Sequence, residues 1–117
     1  MAVGDITYIK VDPYVLTNSA ATVYTIPSNN HVVSMELVLC NTTANAQETI
    51  VYFINSGSSA ADSKAVIKHD ASTGLTDGET RWLKFNQFLG AGDFIQMLNN
   101  NGTAVTAHLS LILRATA

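Results

Sequence analysis

Apolar and polar residues alternate over several short runs of this chain. The clearest is the run from Val105 to Arg114, whose odd-numbered residues are all apolar and whose even-numbered residues are mostly polar. Successive side chains of a β-strand point to opposite faces of a sheet, so this period of two predicts a strand with one buried face. In residues 94–98, Phe94, Gln96 and Leu98 alternate with Ile95 and Met97, and an Asn-rich turn ending in Asn101-Gly102 separates the two runs. Because Asn-Gly favours the positive φ angles of tight turns, we expect the two strands to form a C-terminal hairpin.

Six earlier runs also have strand character. Asp12-Pro13 ends the first of them, because proline cannot donate to a β-ladder. Helical periodicity is not sustained over three turns anywhere, although residues 60–68 could instead form one short helix. The pattern predicts an all-β fold, namely a single antiparallel β-sandwich or jelly roll of about seven to eight strands. The six runs span residues 5–11, 21–26, 31–41, 48–55, 64–69 and 79–85.

The apolar faces of these strands predict the core. The run 48–55 stands apart, because Ile50, Tyr52 and Ile54 oppose Val51 and Phe53 and both of its faces are therefore apolar. Such a strand is expected to be buried on both sides, either inside a sandwich or at a subunit contact. In the other runs one face is apolar. Together these faces predict a core of Val33, Met35, Leu37, Leu39, Phe53, Leu83, Leu109 and Leu111.

The composition favours association with other chains. The sequence has 117 residues, which suits one domain with a single core. Charged residues make up 13% of it, about half the ~25% that is typical of soluble domains. Because few charges would lose their hydration in a contact, such a surface packs closely against other chains. We therefore expect an oligomer or assembly subunit, with a small monomer as the alternative.

Several classes of partner are disfavoured. The net charge is −3 and the six Lys and Arg residues are scattered, whereas nucleic-acid binding needs clustered cations. The chain contains no apolar run near the ~20 residues of a membrane span. Its N-terminus lacks the basic and apolar regions of a signal peptide, so we expect synthesis in the cytosol. Cys40 is the single cysteine, so neither an internal disulfide nor a Cys-based zinc site is expected.

No set of residues forms a recognisable catalytic or metal-binding motif. His69-Asp70 could orient an imidazole, but the spacing of known metal and nucleophile motifs is missing, which favours a surface histidine. The acidic residues of the segment 70–79 do not have calcium-loop spacing. Trp82 and Phe85 could stack on a sugar, although aromatic residues of an alternating strand are more often core. We predict no catalytic, cofactor or metal residues, and hence a protein that is not an enzyme.

Three segments resemble small bacteriophage virion proteins. They are residues 21–28 (ATVYTIPS), residues 37–45 (LVLCNTTAN) followed by the strand 49–53 (TIVYF), and Gly78-Glu79-Thr80 leading to residues 88–95 (FLGAGDFI). In this the chain is similar to the one-domain β-sandwich accessory proteins encoded among phage structural genes. The resemblance covers roughly residues 20–114 and rests on strand and turn patterns.

The resemblance implies assembly on the virion, commonly as capsid cement or decoration trimers that bind the major capsid protein or other virion proteins. The expected location is the capsid surface, after assembly in the host cytoplasm. Alternatives are a tail, neck or fibre component and, from another class, a carbohydrate-binding module, which exposed aromatic residues in a groove would favour.

The expected assembly contacts lie in two places. Residues 1–19 are predicted to be an N-terminal strand or extended arm, and residues 20–117 the sandwich domain. Ile6, Tyr8 and Ile9 offer apolar anchors in a segment that could pair with a neighbour's sheet edge, or be an ordinary edge strand of its own domain. Tyr52 and Ile54, on the strand with two apolar faces, complete the candidate contacts.

Overall fold

The computed structural model describes residues 2–43, 47–69, 79–85, 89–100 and 102–116. Within these ranges the chain forms nine strands and one short 3₁₀ helix, Asp62–Lys64. The predicted all-β fold is thus confirmed. The ninth strand is β2, which is only two residues long and was not among the predicted runs. The strands are β1 Ile6–Lys10, β2 Tyr14–Val15, β3 Ala21–Thr25, β4 Asn30–Asn41, β5 Thr49–Ile54, β6 Ala65–His69, β7 Thr80–Phe85, β8 Phe94–Asn99 and β9 Val105–Ala115.

Two antiparallel sheets form the sandwich. The larger sheet has the order β1-β9-β4-β7, and β2 also pairs with β9. The smaller sheet has the order β3-β8-β5-β6. From β2 to β9 the chain changes sheet at every connection except that between β5 and β6, so strands distant in sequence become neighbours, as in a jelly roll.

The C-terminal hairpin expected from the sequence is wrong. β8 pairs with β3 and β5 in the smaller sheet, whereas β9 pairs with β1, β2 and β4 in the larger one. The turn between them therefore carries the chain from one sheet to the other, and Gly102 adopts a positive φ of 103° within it. An Asn-Gly turn satisfies a local backbone requirement, but it does not decide which strands pair beyond it.

The N-terminal segment is hydrogen-bonded along one edge of β9. Lys10 pairs with Ser110 and Tyr14 with Ala107, so one extra residue is accommodated between β1 and β2. The interruption falls at Pro13, which has no N–H to donate. Within the described chain, β1 lies at the end of the larger sheet.

The core lies between the two sheets and contains most of the predicted residues. Met35, Leu37, Leu39, Phe53, Leu109 and Leu111 are buried, as expected. Leu83 and Phe85 are half-buried against the same cluster. The Phe85 ring meets Phe53 edge to face with 5.1 Å between ring centroids, an arrangement that aromatic quadrupoles favour.

The prediction that Val33 is a core residue is wrong. Its side chain is 41% exposed, whereas Val32 is buried. Val32 pairs with Leu113 and Ser34 with Ile112, so Val33 is the extra residue of a β-bulge. A bulge shifts the alternation by one residue, which puts Val32 on the inner face together with Met35 and Leu37.

Strand β5 is buried on both faces, as its sequence predicts. Val51 and Phe53 face the main core. Ile50, Tyr52 and Ile54 form a second cluster on the other side of the smaller sheet. Ala65, Phe94 and Leu98 of the neighbouring strands pack against that cluster, together with Ala20 and Ala60.

A pair of isosteric substitutions tests the bulge. Val32→Thr places a hydroxyl in the core without a partner and is expected to lower the free energy of unfolding by about 1–3 kcal/mol. Val33→Thr changes an exposed side chain and is expected to change it by no more than about 0.5 kcal/mol. Urea denaturation of both variants measures the difference. A larger loss for Val33→Thr than for Val32→Thr would show that the two faces are assigned the wrong way round.

Candidate functional site

The outer face of the larger sheet, here called the open face, carries exposed and half-buried side chains across all of its strands. It is built from the residues that alternate with the core positions of β1, β2, β4, β7 and β9. The antiparallel pairing aligns these residues in rows that cross the sheet. From one end of the sheet to the other the rows are Ile6–Arg114–His31, Tyr8–Ile112–Ser34, Lys10–Ser110–Glu36–Lys84, His108–Val38–Trp82 and Val15–Thr106–Cys40–Thr80.

Two aromatic side chains stand out from the open face. Tyr8 on β1 is 78% exposed, and Trp82 on β7 is 73% exposed. The expectation that Trp82 lies in the core is therefore wrong, because the alternation of β7 turns Leu83 and Phe85 inward and Trp82 outward. With strands about 4.8 Å apart and paired rows about 6.8 Å apart, the two aromatic residues lie about 20 Å from each other on the diagonal.

A depression of about 410 Å³ lies beside Tyr8 on the open face. A smaller one of about 130 Å³, which shares Glu36 and Lys84 with it, is lined by Trp82. The centre of the larger depression is the row Lys10–Ser110–Glu36–Lys84, and Ser34 and Ile112 complete the floor. The surface is concave here because the two central strands carry the small side chains of Ser34 and Ser110. The larger side chains of tyrosine, lysine and glutamate surround them. The larger volume falls within the range of small-ligand sites, about 300–1,000 Å³.

Three exposed aliphatic residues lie at the end of the larger sheet where Arg114 pairs with Ile6 and His31, and we call them the terminal patch. Its members, Val3, Ile6 and Val33, are exposed to 72%, 41% and 41%. This terminal patch is held in place by backbone hydrogen bonds, among them Gly4 N–H to the Ala115 oxygen at 2.8 Å. Three exposed aliphatic side chains at one end are a surface that association would bury.

The five predicted assembly residues divide between exposed and buried positions. Ile6 and Tyr8 point outward on the open face. Ile9 points inward and packs on the core, because it alternates with them. Tyr52 and Ile54 are covered within the chain by the second cluster. Their apolar character is thus used for folding, and in this structure they offer no surface to a partner.

The other residues considered from the sequence either form contacts within the protein or lie outside the described residues. Asp70 and Asp77 lie outside them. Glu79 forms an ion pair with Arg81 at 2.7 Å. Asn41 is buried, and its side-chain oxygen accepts a hydrogen bond from the Thr43 hydroxyl at 2.8 Å.

The described residues contain no group of three or more His, Cys, Asp and Glu residues that could hold a metal ion. No helix in the described ranges is long and apolar enough to cross a membrane. Burial raises the pKa of Tyr24 above its ordinary value of 10.0.

Asp93, in the Gly-Ala-Gly-Asp segment, has a structural role in joining two loops. One carboxylate oxygen accepts the Ser56 N–H at 3.0 Å and the other accepts the Gly90 N–H at 2.9 Å. Gly92 has a positive φ of 83°, and an added Cβ there would lie 2.9 Å from the Ser56 hydroxyl. The glycine is therefore required by the backbone angle and by the close approach of the two loops.

No protein-family model matches the chain, and no curated protein matches it significantly. Solved structures do. A chain of the capsid of Helicobacter pylori bacteriophage KHP30 matches with a TM-score of 0.64 and 13% identity, over 99% of this chain and 92% of that one. A chain of the Bacillus endospore appendages, described as disulfide-linked pili, matches with a TM-score of 0.58 and 14% identity, over 100% and 96%.

A third match is to a larger protein. A chain of the T13 viral particle of IBDV matches with a TM-score of 0.57 and 15% identity, over 98% of this chain. The chain spans only 32% of that protein's length. At these identities the likeness is one of fold, which this chain shares with proteins of viral capsids and of a pilus.

The fluorescence of the single tryptophan tests the open face. Because Trp82 is exposed, the folded protein in dilute solution is expected to give the red-shifted emission of a hydrated indole and full access to acrylamide. Unfolding in urea should change both readings little. Blue-shifted emission and protection from acrylamide in the dilute monomer would contradict the outward placement of Trp82.

Proposed function

We propose that this chain is a structural virion protein of a bacteriophage, a cement or decoration subunit that binds the outside of the capsid and stabilises the shell by non-covalent contacts. The observation that carries the proposal is the end-to-end match with a chain of a phage capsid, in which each chain covers more than nine-tenths of the other. The two chains therefore share a whole fold of similar length. The sequence resemblance to small virion proteins supports the same role.

The physical properties of the chain support attachment without chemistry. A cement protein needs a folded unit that resists opening, and here the core is closed by two sheets and a second apolar cluster. Each copy needs only modest affinity, because many copies on a symmetric lattice act together through their effective concentration. The sparse charges of the sequence leave little hydration to remove in such contacts.

The terminal patch is the proposed attachment surface. Burying a valine or isoleucine side chain fully contributes about 1.5–3 kcal/mol. Val3, Ile6 and Val33 together could therefore supply several kcal/mol per copy, before the cost of immobilising the subunit. Val3 and Ile6 of the terminal patch belong to the N-terminal segment, for which the sequence predicts contacts with other subunits.

We expect the copies to form a homo-oligomer, with a trimer as first choice from the family resemblance. A cyclic trimer joins two different surfaces of each copy. β1 provides one, because its outer edge is the end of the larger sheet. Main-chain groups at such an edge can pair with a strand of the next copy.

A disulfide-linked filament, as in the pilus neighbour, is not favoured by this sequence. Cys40 is the single cysteine, and one thiol can join no more than two chains. It is also half-buried beside Thr80, whose hydroxyl lies 3.6 Å from the sulfur.

Substitutions at two matched valines test the attachment surface. Val33 and Val66 are exposed to 41% and 40%, and each lies at a register irregularity of its strand. Val33→Lys places a charge in the terminal patch, so we expect the protein to fold and to lose at least about tenfold in affinity for capsids stripped of it. Val66→Lys, on the smaller sheet, is expected to bind as the unmodified protein does. Co-sedimentation with particles of the phage that carries the gene measures both.

Two results would contradict the assignment. If Val33→Lys binds and raises the heat resistance of the particles as well as Val66→Lys does, the terminal patch is not the attachment surface. If the unmodified protein neither binds these capsids nor alters their heat resistance, the cement role itself is wrong. Deletion of residues 2–11 would not test the terminal patch separately from folding, because it would also remove β1 from the larger sheet.

A further inference from the structure

We propose that the depression on the open face is a binding site for an acidic oligosaccharide, with Tyr8 in its lining as one aromatic platform. Trp82 is the second platform, in the smaller adjoining depression that shares Glu36 and Lys84 with the first. The site is separate from the terminal patch and does not depend on the cement role. It would give the protein an affinity for polysaccharide in addition to its affinity for the shell.

The first observation is the arrangement of polar and apolar groups. Protein–protein interfaces have an apolar centre and a polar rim. The open face has the reverse, since the row Lys10–Ser110–Glu36–Lys84 crosses its middle and the aromatic residues stand at its edges. A polar, concave centre between exposed aromatic rings suits a sugar chain, whose hydroxyl groups need hydrogen bonds and whose C–H faces stack on aromatic rings.

The second observation is that the polar groups of the depression are available. In the described part of the chain, the side chains of Tyr8, Lys10, Ser34, Glu36, Lys84 and Ser110 make no hydrogen bond or ion pair with another residue. They include donors, acceptors and groups that can serve as both. A ligand rich in hydroxyl groups could engage several of them without breaking any bond within the protein.

The third observation is the charge of the lining. The lining includes two residues with ammonium groups, Lys10 and Lys84, and one with a carboxylate, Glu36. The chain as a whole carries −3, so this concave surface has a local excess of positive charge on an acidic protein. Charge complementarity therefore favours a sugar that bears a carboxylate, because its anion gains charge-assisted hydrogen bonds from the lysines.

Calorimetric titration tests the site with three stated probes: hexagalacturonate, hexamannuronate and sialyllactose. Neutral maltohexaose serves as the comparison ligand. At least one acidic probe is expected to bind saturably, more tightly than maltohexaose, and more weakly as the ionic strength rises. A matching change in Trp82 fluorescence is expected when that probe binds.

Substitutions locate the site. Lys84→Gln and Trp82→Ala are each expected to lower the affinity for the acidic probe by about tenfold or more. Ser34→Leu fills the floor of the depression and is expected to abolish binding. Lys64→Gln, on the 3₁₀ helix outside the open face, is the matched control and is expected to bind normally. Each variant is first shown to fold by urea denaturation.

Two outcomes overturn the proposal. One is the absence of saturable binding by all three acidic probes at millimolar concentration. The other is binding that Lys84→Gln, Trp82→Ala and Ser34→Leu leave unchanged. If Trp82→Ala instead abolishes attachment to capsids while no sugar binds, the open face is a protein-docking surface. Loss of capsid binding by Val33→Lys with sugar binding intact would separate the two sites.

Discussion

The full-length pairing of β9 with β4 is the constraint on which the rest of the structure depends. It runs from Asn30 opposite Ala115 to Asn41 opposite Val105. β1 and β2 add to the other edge of β9, and β7 to the other edge of β4. Because side chains alternate across each strand, this one register decides which residues close the core and which form the open face. The depression is a consequence, since the register brings two serines together at the centre of the sheet.

The strands themselves could be read from the sequence, and their partners could not. A period of two is a local property, so β4, β5 and β9 were predicted close to their observed bounds. Pairing depends on contacts between residues distant in sequence, and for this reason the Asn-Gly turn suggested a hairpin where the chain crosses between sheets. The bulge at Val33 was missed for a related reason, because an extra residue is defined only against a partner strand.

The candidate site could be predicted only in part. Ile6 and Tyr8 follow from the alternation of β1, and the same alternation turns Ile9 inward. Tyr52 and Ile54 look like contact residues in the sequence because both faces of β5 are apolar, but both side chains are buried within the same chain. Thr80 and Lys84 lie on the same face of β7 as Trp82. These polar neighbours are the sequence feature that indicates an outward-pointing tryptophan. The depression had no such signal, since it combines four strands.

Together these features describe a jelly roll whose two faces and one described end differ in chemistry. The outer face of the smaller sheet carries the second apolar cluster, the terminal patch presents aliphatic side chains, and the open face presents polar groups between aromatic rings. A subunit with such separated surfaces could hold a shell through one and meet the surroundings through another.

The most direct measurement of the cement role is the number of copies of this chain relative to the major capsid protein in purified, intact particles, obtained by quantitative mass spectrometry. A subunit that reinforces the shell must repeat with the capsid lattice, so the account predicts a fixed stoichiometric ratio to the capsid protein. A few copies per particle, or copies found only with isolated tails, would contradict it.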